Sequence, residues 1–128
     1  MASIYLVKSI YTANDVTSLG EFTTSDTIAH RVVGTVTTDN DLSFDMNVTN
    51  NFKCTPTATG ALTFTNITAG QSGYVLLVNS GGYAITAAAT TKVGATFLST
   101  VSAAGTYLIS YFSPDGTSVY CTASGALS

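Results

Sequence analysis

Charge is what this chain has least of. Only 9% of its 128 residues are Asp, Glu, Lys or Arg, against about 25% in a typical soluble domain. The four basic residues, Lys8, Arg31, Lys53 and Lys92, are scattered, and the net charge is -3. Nucleic-acid binding draws on clustered Lys and Arg to neutralise phosphates, so this pattern argues against it. The same scarcity removes the usual attraction to anionic lipid. Long apolar runs are missing too: the longest, such as Tyr74 to Val78, fall far short of the ~20 residues of a membrane helix. Residues 1–8 lack a positive leading segment and their apolar stretch ends at Lys8. They read as a short strand or arm, and synthesis in a cytoplasm is expected.

Residues that carry chemistry are equally sparse. Cys54, Cys121 and the single histidine, His30, do not supply the four local ligands of a zinc site. Without a secretory signal the cysteines read as small buried hydrophobes, with pairing left open because spacing alone does not bring them together. His30 reads as a surface or subunit-contact residue. No phosphate-loop or dinucleotide glycine pattern is present, and no serine sits in a G-x-S-x-G elbow. Asp39, Asp41 and Asp45 invite a calcium reading. A calcium loop, however, wants glycine at its sixth place and glutamate at its twelfth, where this chain has Phe44 and Asn50. They read as hairpin and solvated strand-face carboxylates. Glu21 and Asp26 are a weak glycosidase-like pair with nothing around them to suggest a cleft. No catalytic residue, cofactor or metal is expected.

What is present is a period of two. Leu42, Phe44, Met46 and Val48 alternate with polar residues and are expected on one buried face. Leu62 and Phe64 repeat the pattern. Gly73 to Asn79 is a continuous apolar run, expected of a strand covered on both faces. Thr106 to Phe112 is another, and Ser118 to Ala123 the last. Ser113-Pro114-Asp115-Gly116 is expected to join the final two strands, and Asp39-Asn40 to make a hairpin between 32–38 and 42–48. A short helical turn is expected only around Ser25–His30. Tyr5, Tyr11, Tyr74, Tyr83, Tyr107, Tyr111 and Tyr120 read as core or subunit-contact residues, with a sugar-binding face as the lesser alternative. The expectation is an all-β chain: an antiparallel β-sandwich or jelly-roll-like single domain over 31–128, with an N-terminal arm or subunit-contact segment over 1–30.

The segment from Asn51 to Ala123 resembles a β-rich module of structural proteins of tailed bacteriophages. The residues that carry this are Asn51-Phe52, Gly60-Ala61-Leu62-Thr63-Phe64-Thr65-Asn66, and Ala69-Gly70-Gln71-Ser72-Gly73-Tyr74. Asn79-Ser80-Gly81-Gly82, Tyr107-Leu108-Ile109-Ser110-Tyr111, Asp115-Gly116 and Val119-Tyr120 complete it. Val16 to Phe22 is similar to connecting segments of phage fibre proteins. One departure is the lack of tryptophan, which the module often carries between its middle strands; here Ala87 to Lys92 is small and flat. The resemblance implies assembly rather than catalysis, usually as a homotrimer within a virion. Of the roles it implies, a capsid decoration or cement protein bound to the major capsid protein is preferred. A self-contained chain with only about thirty residues before the expected sandwich suits that role. A short tail fibre contacting a host glycan or receptor is the alternative. Strand edges with few charges, together with Ile4, Tyr5, Leu6, Val7, Tyr11, His30 and Arg31, are the expected partner contacts.

Overall fold

Alternating apolar and polar residues form strands through most of this chain, and the turns between them decide how those strands pair. The computed structural model of the protein describes residues 7–12, 15–21 and 34–128. The chain divides into two units, residues 1–33 and 34–128. In the first, strands β1 (Val7–Thr12) and β2 (Asp15–Glu21) pair antiparallel, with Val7 opposite Glu21 and Thr12 opposite Asp15. The helical turn expected at Ser25–His30 lies outside the described residues.

The second unit begins with β3 (Val36–Thr38), β4 (Ser43–Asp45), β5 (Asn51–Cys54), β6 (Gly60–Thr65), β7 (Ser72–Asn79) and β8 (Ile85–Ala87). These alternate strictly between two sheets. β3, β5 and β7 lie side by side and parallel in one, and β4, β6 and β8 do the same in the other. The chain therefore winds as a short coil. β9 (Thr91–Val93), α1 (Phe97–Val101), β10 (Gly105–Phe112) and β11 (Val119–Ala123) follow. β10 pairs antiparallel with β7, β11 antiparallel with β10, and β9 lies parallel to β11. The result is a six-stranded sheet of order β3-β5-β7-β10-β11-β9.

The fold is β-rich as expected, but its pairing is mixed rather than antiparallel. The Asp39-Asn40 segment is not a hairpin, because β3 and β4 belong to different sheets. It is a corner stacked on the next turn of the coil. The Asp39 N–H donates to the Lys53 carbonyl at 2.9 Å, and the Thr55 N–H to Asn40 Oδ1 at 2.8 Å. Leu42 completes the bend at φ 67°, a conformation costing an L-residue roughly 1–2 kcal/mol. Burying its side chain contributes about 1.5–3 kcal/mol, enough to offset that strain. Beyond Asp45 the strand ends in a turn, where the Val48 N–H donates to the Asp45 carbonyl at 3.1 Å. Leu42, Phe44 and Met46 are buried as expected, whereas Val48 is exposed.

The core lies between the two sheets. Across the sheets Phe44 meets Phe52 with ring centroids 5.0 Å apart and Phe64 meets Tyr111 at 4.9 Å, while Phe44 and Phe64 lie 5.5 Å apart within the three-stranded sheet. Phe97 and Val101, one helical turn apart on α1, close one end. Asn79 is fully buried and fully bonded. Its Oδ1 accepts the Tyr83 N–H, and its Nδ2 donates to the Tyr83 and Val101 carbonyls, all at 2.9 Å. Cys54 on β5 and Cys121 on β11 are buried free thiols. β7 and β10 stand between their strands. Three inter-strand spacings amount to ~14 Å, far beyond the reach of a disulfide.

Candidate functional site

Among the described residues, the six-stranded sheet buries one face and leaves the other bare. Along β7 the side chains of Val75, Leu77 and Asn79 point into the core, and along β10 those of Tyr107, Ile109 and Tyr111 do the same. Because successive strand residues alternate, the intervening Tyr74, Leu76, Leu108 and Phe112 face outward. The register sets Leu76 opposite Leu108 and Phe112 opposite Tyr120 of β11. Exposure is 63% at Val36, 53% at Tyr74, 39% at Leu108, 48% at Phe112 and 52% at Tyr120. Among the described residues these five belong to a set of seven exposed large hydrophobics, the others being Val48 and Leu127. The apolar exposure of the described residues is thus concentrated on one sheet face.

Two grooves flank Tyr74 on that face. One, of about 340 Å³, runs between Val36, Lys53, Tyr74, Leu76 and Leu108 and is almost wholly apolar. The other, of about 310 Å³, is polar, lined by Asn50, Asn51, Ser72, Ser110 and Tyr111. Its floor is rigid. The Tyr111 hydroxyl donates to the Asn50 carbonyl at 2.6 Å, and Gln71 Nε2 donates to Asn50 Oδ1 at 2.8 Å. A Cβ at Gly73 would lie 1.8 Å from the Asn50 carbonyl oxygen, so only glycine permits this close approach of the chains. The face carries cations at Lys53 on β5 and Lys92 on β9, and its strands carry no carboxylate.

Two carboxylates are held by local hydrogen bonds. Asp45 sits below the usual carboxylate range because Asn66 and the Asn47 N–H donate to it. Asp115 is lowered by the N–H groups of Ser118 and Thr117, which close the loop between β10 and β11. Gly116 takes φ +74° in that loop, where the sequence places an Asp-Gly turn. Asp39 is raised, first by burial and then by the neighbouring Asp41. Burial pushes the thiol of Cys54 up to about 11 and that of Cys121 to about 12, which leaves both protonated and unreactive at neutral pH. No cluster of three or more potential metal ligands occurs among the described residues. No helix among them is long and apolar enough to cross a membrane.

Of the expected partner contacts, Ile4, Tyr5, Leu6, His30 and Arg31 lie outside the described residues. Val7 and Tyr11 fall on β1, where Tyr11 pairs with Val16. Tyr74 and Tyr120 emerge on the bare face, whereas Tyr107 and Tyr111 are core. Val36, Leu76, Leu108 and Phe112 were not among the expected contacts. For Leu76, Leu108 and Phe112 the signal was the apolar run in β7 and β10, which calls for a cover on each face, whereas Val36 on β3 had none. Among the described residues only the inner cover is present. No protein-family model, curated protein or solved structure matches this chain.

Proposed function

We propose that this chain is a non-catalytic virion structural protein of a tailed bacteriophage, acting as a capsid decoration or cement protein. The observation that carries an assembly role is the bare face of the six-stranded sheet: apolar at its centre, without carboxylates, and built on rigid strands. Contiguous apolar patches of this kind mark protein contact sites. The virion setting comes from the resemblance carried by Asn51 to Ala123. In this reading the two packed layers form a small β-sandwich of mixed strand direction. Weak contacts repeated over a capsid lattice then add up to firm attachment without a deep pocket.

The competing role is a tail fibre or receptor-binding protein. It is favoured by the fibre-like segment Val16 to Phe22 and by the uncharged polar groove beside Tyr74, whose amides and hydroxyls suit neutral sugar hydroxyls. Copy number per particle, measured by quantitative mass spectrometry of purified virions, separates the two. A number that scales with the major capsid protein supports decoration, and a few copies per particle supports the tail. Absence from purified particles overturns both.

A further inference from the structure

We propose that the bare face of the six-stranded sheet is covered by the same face of a second copy of this chain. The proposal rests on the assembly reading above and names the partner at that surface; attachment to a capsid then falls to other surfaces of the pair, and a pair stands in place of the homotrimer that the phage resemblance implies.

Area is the first argument. An aromatic side chain carries roughly 150–250 Å², and about half of each of Tyr74, Phe112 and Tyr120 is exposed, so these three contribute ~300 Å². With Val36 and Leu108 the apolar patch reaches about 450 Å², within the range of the largest patches on monomers, which are often functional. Six strands at ~4.8 Å spacing, each some five residues long at ~3.3 Å per residue, span roughly 29 by 17 Å. Stacking that footprint on an equal one covers about 490 Å² per partner in projection, the size of a weak, concentration-dependent interface.

Shape and charge point the same way. Sheets twist with one hand, so two copies of one sheet stack face to face at about 10 Å with their strands about 30° apart. A face that meets itself does so about a two-fold axis, which closes the assembly at a pair. The centre of the face lies between β7 and β10, where Leu76 and Leu108 sit opposite each other and no charge intrudes. Lys53 and Lys92 lie on opposite sides of that centre, on β5 and on the β9 edge. A two-fold axis along the strands sets β5 over β11 of the second copy and β9 over β3. Lysine then never faces lysine. The apolar runs of β7 and β10 gain the second cover that their sequence calls for.

The test is the mass of the purified full chain in solution, by light scattering and sedimentation velocity over a concentration series. A concentration-dependent pair of chains is expected. Leu108→Glu and Phe112→Ser should each weaken it by roughly 30-fold or more, the scale of a central hot-spot change. Val48→Glu, an equally exposed apolar position off this face, should leave it intact. Thermal unfolding of the variants at low concentration should match that of the parent chain, because neither Leu108 nor Phe112 is buried. A chain that stays monomeric at every concentration overturns the proposal, whether residues 1–33 or another protein covers the face. So does a pair that ignores both face substitutions, the result expected if the exposed β3 edge were the contact. The function reading fails separately. A face-to-face pair that is absent from purified virions leaves this proposal standing and removes the virion role.

Discussion

Along β7 and β10 both faces of the six-stranded sheet carry large apolar side chains, yet the two sets live in different environments. Val75, Leu77, Ile109 and Tyr111 face inward, and Tyr74, Leu76, Leu108 and Phe112 face outward, each one position away in sequence. The inner set is locked by ring contacts to the three-stranded sheet and by hydrogen bonds such as Tyr111 to Asn50. Among the described residues the outer set has no such layer over it. Hydrophobicity along these two strands therefore does not distinguish core from surface; only the presence of an opposing layer does. The inner face holds the fold, and the outer face is the one to which the proposals above assign a partner.

The sharpest way to break that comparison is to remove one phenylalanine from each side. Phe44→Ala, which empties the space between Phe52 and Phe64, should cost about 3–5 kcal/mol in denaturant unfolding. An effect below about 1 kcal/mol would mean that the layer over the inner face is not a packed core. Alkaline pH tests the same core next. In the unfolded chain the two thiols ionise near their ordinary 9.0, whereas the folded chain keeps its protons to about 11 at Cys54 and about 12 at Cys121. The unfolded state sheds protons first, so stability present below pH 9 is lost progressively as the pH rises towards 12. Denaturant midpoints against pH should show this decline, and a Cys54→Ala/Cys121→Ala variant should reduce it, leaving the share of Tyr111, whose hydroxyl burial pushes up to about 12.

Smaller effects sharpen the picture. Tyr111→Phe keeps the ring but removes the hydroxyl donor to the Asn50 carbonyl, which still receives the Tyr74 N–H at 3.1 Å. A loss of about 1 kcal/mol is expected in denaturant unfolding, much less than for an abandoned acceptor. Phe112→Ala should change the unfolding of the dilute monomer by no more than ~0.5 kcal/mol. A loss on the scale of Phe44→Ala would show that the outer face is part of the monomer's own core.

Much of the inner face was legible in the chain. The alternation at Leu42, Phe44 and Met46, and again at Leu62 and Phe64, names residues that are buried. Ser113 to Gly116 lies in the connection between β10 and β11 as expected. Val48 was misplaced because the periodicity continues past Asp45 while the backbone turns, held by hydrogen bonds to Asp45. The helix Phe97–Val101 is a single short stretch whose two buried residues, four apart, are too few to announce a helical period. The bare face was visible only indirectly, as apolar runs with no polar parity.

By itself, then, the sequence determined that this is a strand-built, weakly charged chain, which of its alternating residues turn inward, and that β7 and β10 want cover on two sides. Tertiary structure alone decided the direction of pairing, the winding of successive strands between two sheets, the separation of Cys54 from Cys121, and the gathering of Val36, Tyr74, Leu108, Phe112 and Tyr120 on one surface. The physical reason is that side-chain alternation is the same in parallel and antiparallel strands. A period of two records which way each residue points and nothing about which strand lies beside it. That information resides in the corners, where single hydrogen bonds such as Thr55 to Asn40 stack one turn of the coil on the next.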